Sequence, residues 1–307
     1  MEITQFQVRR HELKQLCLIP FVNFSVALVP QNPNLKYASI AVFFGVLCLL
    51  VVKIIIAAII LYKWRDHKLI RRNTPAVSFA VLFGLFLVNV SGIIIATGVY
   101  NTSCYLYIFF FYIGEAILTS GIIAKEYRIY KIFSNRKAVA VEIPDYKLFL
   151  IIFCVSFYFF LLCCLGIVGD LHAAIRQSKT NQFYLFVRCV FKNKTWTVFM
   201  AIFVPVSLTI LRIAAGVMAW LTRRVNSHYS EAKPVVAFVV IFLVLDISFT
   251  PLIESLKDGT DSAVIKTCLI LVAIAITVTS GLILLFYYRF WMVYKYEQKR
   301  RDRLNVD

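Results

Sequence analysis

Seven apolar runs, each long enough to cross a lipid bilayer, constrain this chain more than any other feature of its sequence. They cover residues 38–62, 77–100, 104–124, 148–168, 196–221, 234–252 and 264–290. A hydrocarbon core of ~30 Å takes about 20 consecutive apolar residues in a helix, which satisfies its own backbone hydrogen bonds where no water is present. Of 307 residues, 61% are hydrophobic and 16% are charged, against roughly 45–50% and 25% in a soluble domain. Lipid has to solvate the excess. Alternating strand patterns of about ten residues are absent, which argues against an outer-membrane barrel. The expected fold is an all-α membrane protein, a seven-transmembrane helix bundle. Its organisation reads as a short extracellular segment over 1–36, a seven-transmembrane domain over 37–292 and a basic cytoplasmic tail over 293–307. No cleavable signal peptide is evident before the first run, so that run is expected to target the chain itself.

Charge placement sets the orientation. The formal net charge is +17, which in a soluble protein would suggest a nucleic-acid partner. Here most Lys and Arg residues fall in the first, third and fifth interhelical segments and after the seventh run. Among them are Lys63, Arg65, Arg71, Arg72, Arg128, Lys131, Arg223, Arg224, Arg300 and Arg301. Cytoplasmic loops of membrane proteins are rich in these residues, so the N-terminus is expected outside and no nucleic acid is needed to explain the charge. Three Asn-x-Ser/Thr triplets, at Asn23, Asn101 and Asn193, fall on the expected outer side and are candidate glycosylation sites. A fourth, at Asn89, lies within the second run, where no sugar could attach.

Eight cysteines are present without a C-x-x-C pair. Most lie inside the apolar runs as small packing residues. Cys104 opens the third run at its outer end and Cys189 sits in the long fourth loop, also outside, where a disulfide persists. These two are the expected bridge. No metal-ligand cluster such as H-E-x-x-H occurs, and His11, His67, His172 and His228 all fall outside the runs. Neither catalytic residues nor cofactors are expected.

Four charges do fall inside the runs: Lys53, Glu115, Arg212 and Asp246. Each costs several kcal/mol in lipid unless paired or hydrated. Lys53 and Arg212 lie toward the cytoplasmic side, where snorkelling to the interface is an alternative. Glu115 and Asp246 lie nearer mid-membrane, and an intramembrane polar network of Lys53, Glu115, Arg212 and Asp246, in which two bases and two acids neutralise one another, is expected.

Three stretches resemble the transmembrane domain of class C G-protein-coupled receptors, most closely the GABA-B receptor branch. HKLIRRNTPAVSFAVLFG, residues 67–84, is similar to that branch's basic first loop, which runs into a small polar residue and a proline opening the second helix. Thr74 can cap that helix and Pro75 can occupy its first turn. AKEYRIYKIFSNRK, residues 124–137, looks like the family's third-helix ending, and IPDYKLF, residues 143–149, like the opening of its fourth helix. The resemblance implies an inactive-state lock between Lys125 and Glu231. It also implies a heterotrimeric G protein as partner, with Arg71, Arg72, Arg128 and Lys131 on the contact surface. A homo- or heterodimer with another class C receptor subunit is a further implication. The chain departs from the family in carrying only about 36 residues before the first run, where class C receptors have a large extracellular ligand-binding domain, and in reading FYYRFW at 286–291, where the family has a Phe-x-Pro-Lys pattern.

The expected function is therefore that of a receptor in the plasma membrane, embedded in the lipid bilayer and performing no chemistry. The alternative is a transporter or channel that uses the intramembrane charges. Against it, no run shows the Gly-interrupted pattern of broken transporter helices. A retinal protein would need a lysine in the middle of the last run, and only Lys266 near its outer end is present.

Overall fold

The computed structural model describes residues 25–27, 33–65, 67, 74–97, 101–134, 144–168, 171–177, 185–191, 194–222, 232–255 and 260–304. Seven long helices follow one another: α1 (Pro33–Lys63), α2 (Pro75–Thr97), α3 (Asn101–Ser134), α4 (Asp145–Val168), α5 (Lys194–Thr222), α6 (Ala232–Ser255) and α7 (Thr260–Gly281). A π-helical segment, Leu282–Tyr287, continues α7 into α8 (Tyr288–Leu304). Six helical stretches among the described residues are long and apolar enough to span a membrane. The remaining helix, α6, has 24 residues, or about 36 Å of helix, with Asp246 as the charge in its middle.

The expected helices all form, with two marked changes of boundary: helix continues 14 residues past the end of the seventh run at residue 290, through α8 to Leu304, and the third helix outlasts its run. The apolar run of the third span ends at residue 124, yet α3 continues to Ser134. Its added turns are rich in Lys, Glu and Arg, which are good helix formers once the apolar core of the helix has been nucleated. Lys125 consequently lies well inside α3 rather than at its end.

A small antiparallel sheet was not evident from the apolar pattern. Its strands are β1 (Ser25–Ala27), β2 (Leu171–Gln177) and β3 (Leu185–Phe191), in the order β1-β3-β2. Ala173 pairs with Cys189 in the β2–β3 ladder, and Val26 pairs with Val187 in β1–β3. The sheet caps one end of the bundle, with β2 against α3 and β1 against α7.

α3 is the central helix, packed on α2, α4 and α5. Its contact with α2 is the most extensive because glycines remove the side chains between the two backbones. A Cβ on Gly84 would lie 2.7 Å from Leu118 N and 2.8 Å from Gly114 O, and one on Gly114 would lie 2.9 Å from Val88 N. Small residues at such crossings let membrane helices approach closely and gain dispersion energy where no hydrophobic effect drives them together. Asn89 of α2 donates from Nδ2 to the Leu47 carbonyl of α1 at 2.9 Å, so this buried amide ties two helices and is not a glycosylation site.

At the start of α2, the Thr74 carbonyl accepts the first helical bond from the Ser78 N–H at 3.2 Å, which puts Thr74 at the cap position and Pro75 in the first turn. The outward faces of α1 and α4 are strongly apolar. Val42, Leu49 and Ile59 on α1 and Leu150, Phe153 and Leu161 on α4 are exposed, as expected of helices whose solvent is lipid.

Candidate functional site: a charged centre between three helices

Glu115 lies mid-way along α3 on the face that meets α5, and its side chain is buried. Arg212 of α5, also buried, donates from Nη2 to Glu115 Oε2 at 3.3 Å and from Nη1 to Asp246 Oδ2 of α6. One guanidinium therefore bridges carboxylates on two other helices. The planar fork of Arg suits this geometry, since its two outer nitrogens can serve different acceptors while its charge stays fixed. The Arg212 guanidinium also lies 4.1 Å from the centre of the Phe242 ring, one turn before Asp246 on α6, so a cation–π contact covers its other face.

The centre is a coulombic knot in a low-dielectric interior, and its worth depends on completeness. A buried ion pair roughly offsets its own desolvation, but removing one partner leaves an uncompensated charge at a cost of several kcal/mol. Glu115 Oε1, Arg212 Nε and the Tyr112 hydroxyl, all buried here, have no hydrogen-bond partner among the described residues. Among the described residues, no group of three or more His, Cys, Asp or Glu is placed to hold a metal ion.

Lys53, the fourth charge read within the runs, stands apart from this centre. It is exposed on α1, and its backbone carbonyl accepts the Tyr287 hydroxyl at 3.5 Å.

A second polar link joins α3 and α5 at the end of the bundle where the basic segments gather. Thr222, the last residue of α5, donates its hydroxyl to Glu126 Oε2 of α3, and both residues are buried. Glu126 is inconspicuous in the sequence because it falls just beyond the apolar run, among charges that look solvated. The helical phase carries the missing signal. Glu115, Thr119, Ile122 and Glu126 recur at spacings of four, three and four, which sets them on one face of α3.

The other candidate residues are placed as follows. Lys125 Nζ lies 5.9 Å from the centre of the Phe286 ring in the π-helical segment, and Glu231 lies outside the described residues. Arg128 pairs with Asp145 at the start of α4, Nη1 to Oδ1 at 3.1 Å. Lys131 is exposed near the end of α3, while Arg71 and Arg72 lie outside the described residues. Cys189 is in β3 and Cys104 in the first turn of α3, but their side chains lie outside what is described. The same holds for the side chain of Asn101 at the start of α3, and for Asn23 and Asn193 altogether.

The family model described as 7 transmembrane sweet-taste receptor of 3 GCPR matches residues 35–289, which takes in all seven helices and the charged centre. Among curated proteins, metabotropic glutamate receptor-like protein M of Dictyostelium discoideum is 26% identical over 266 residues, covering 84% of this chain and 34% of that protein. Metabotropic glutamate receptor-like protein G of the same organism is 22% identical over 296 residues, covering 92% of this chain and 36% of that protein. The chain thus spans about a third of the length of these relatives. Carrying a match over all seven spans, the chain belongs to the class C family of seven-transmembrane G-protein-coupled receptors, multi-pass membrane proteins that are receptors rather than enzymes.

Proposed function

We propose that this chain is a transmembrane signalling domain that passes a conformational signal from its outer side to a heterotrimeric G protein at its basic, cytoplasmic side. The observation that carries the reading is the bridge from Arg212 to both Glu115 and Asp246. α3, α5 and α6 are coupled through one guanidinium, so a displacement of any one of them changes the electrostatics of the other two. A two-state bundle needs such an element, because packed helices exchange between discrete arrangements rather than deform continuously. Arg71, Arg72, Arg128 and Lys131 belong to the proposed G-protein contact surface, and Lys125 with Glu231 to a restraint on the inactive state. Arg128 is already paired with Asp145, an exposed interaction of the sort worth ~0–1 kcal/mol, weak enough to be exchanged for an acidic partner group.

The basic first loop, Thr-Pro helix start and aromatic-Lys-Leu opening of α4 support a place near the GABA-B-like branch within class C. In this reading the plasma membrane is its site, and another class C subunit is its dimer partner. The test is nucleotide exchange on purified G-protein heterotrimers added to vesicles containing the chain. Exchange above that of empty vesicles is expected, with a reduction when Arg71, Arg72 and Lys131 are replaced by Gln at equal incorporation. No exchange with any heterotrimer class would refute the reading.

A further inference from the structure

The helix that leaves the bundle after the π-helical segment changes character within two turns. Arg289, Phe290 and Val293 are still buried, and Phe290 meets Trp64 at the end of α1 edge-on, with ring centres 6.1 Å apart. On the opposite side of the same turns Tyr288, Trp291 and Tyr294 are exposed, and Tyr62 of α1 is exposed as well. Each of these rings carries a cation or a polar tip. Lys295 Nζ lies 5.1 Å from the Trp291 ring centre and the Arg65 guanidinium 4.7 Å from that of Tyr62. Beyond Lys295, α8 continues to Leu304 through Lys299, Arg300, Arg301 and Arg303, with Glu297 and Asp302 as its acidic residues. Lys295, Lys299 and Arg303 recur every four residues and so share one side of the helix.

Uncovered Trp and Tyr rings at the end of an apolar bundle prefer the headgroup level of a bilayer, where the ring body is shielded and its polar tip is wet. The cations stacked on them are thereby held at the same level, and the further basic positions of α8 follow about 6–12 Å beyond Lys295 along the helix. A surface built in this order, aromatic and then positive, is complementary in both polarity and charge to a leaflet bearing anionic headgroups.

We propose that α8, together with Lys63 and Arg65 at the end of α1, binds the anionic lipid headgroups of the leaflet it faces, and that this contact fixes the position of α8 relative to the membrane. The occupant is a phosphate-bearing lipid surface rather than a soluble anion or a protein.

The experiment is amide hydrogen exchange on the full chain in nanodiscs of neutral phosphatidylcholine or of phosphatidylcholine mixed with phosphatidylserine. Exchange across residues 294–304 is expected to be about fivefold slower or more in the anionic discs, and to return to the neutral-disc rate in high salt. A variant with Lys299, Arg300, Arg301 and Arg303 changed to Gln, a good helix former, is expected to lose the lipid effect while exchange in α2 and α3 stays unchanged. Equal exchange in both disc types overturns the proposal, as does a lipid effect that survives in the Gln variant. Protection that appears only with added soluble polyphosphate, or only with an added G protein, would assign the surface to those partners and overturn it equally.

Discussion

Arg212 and Glu115 meet across the α3–α5 interface at 3.3 Å with both side chains buried, and the same guanidinium reaches Asp246 on α6. The triad links three helices through one cation, which makes Arg212 its least replaceable member. Arg212→Ala leaves two carboxylates facing each other without compensation and is expected to destabilise the bundle by about 3–5 kcal/mol. Tyr112→Phe, by contrast, removes a buried hydroxyl with no hydrogen-bond partner among the described residues and is expected to be neutral or stabilising. Thermal unfolding of the purified variants in one detergent checks both. A melting point for Arg212→Ala equal to that of Tyr112→Phe would contradict the assigned roles.

The α2–α3 crossing gives a second expectation. Gly114→Ala puts a methyl group 2.9 Å from the Val88 nitrogen and 3.0 Å from the Gly84 carbonyl oxygen, so the helices must separate, at a cost of about 1–3 kcal/mol. Gly45→Ala on α1 meets nothing within 4 Å and is expected to be harmless, or to gain the helix propensity that glycine lacks. The ratio of folded to aggregated protein after mild heating separates the two.

The number and position of the helices were legible because each span is a long apolar run and little else has that pattern. Glu115, Arg212 and Asp246 were legible for the same reason inverted, since a charge in such a run must have a use. That Arg212 lies between the two carboxylates was not, because helix phase and crossing angles decide it. Glu126 and Thr222 were hidden by their place at the polar ends of α3 and α5, and no apolar pattern announces the π-helical segment at Leu282–Tyr287. The β2–β3 hairpin was hidden because 7-residue strands such as LFVRCVF are shorter than any span and sit within a loop.

Cys104 and Cys189 are expected to form a disulfide that pins the hairpin to the start of α3. β2 packs against α3 and β3 carries Cys189, which favours the pairing. Peptide mapping with and without reduction checks it, and alkylation of both thiols in the unreduced protein would exclude it.

Restraint of the inactive state by Lys125 and Glu231 predicts that Glu231→Ala raises basal nucleotide exchange severalfold. The reciprocal pair Lys125→Glu with Glu231→Lys is expected to recover part of the restraint. Equal basal exchange in wild type and all variants, at matched incorporation, would dismiss the lock.

The central claim, that the buried charges serve signalling and not transport, is tested most directly by measuring G-protein nucleotide exchange and ion flux on the same sealed vesicles. The wild-type chain is expected to stimulate exchange and to pass no protons or ions above the leak of empty vesicles. Glu115→Gln and Asp246→Asn are expected to change the exchange rate and leave the flux at that baseline. A wild-type flux that disappears in either amide variant would contradict the account and make the charged centre a conduction path.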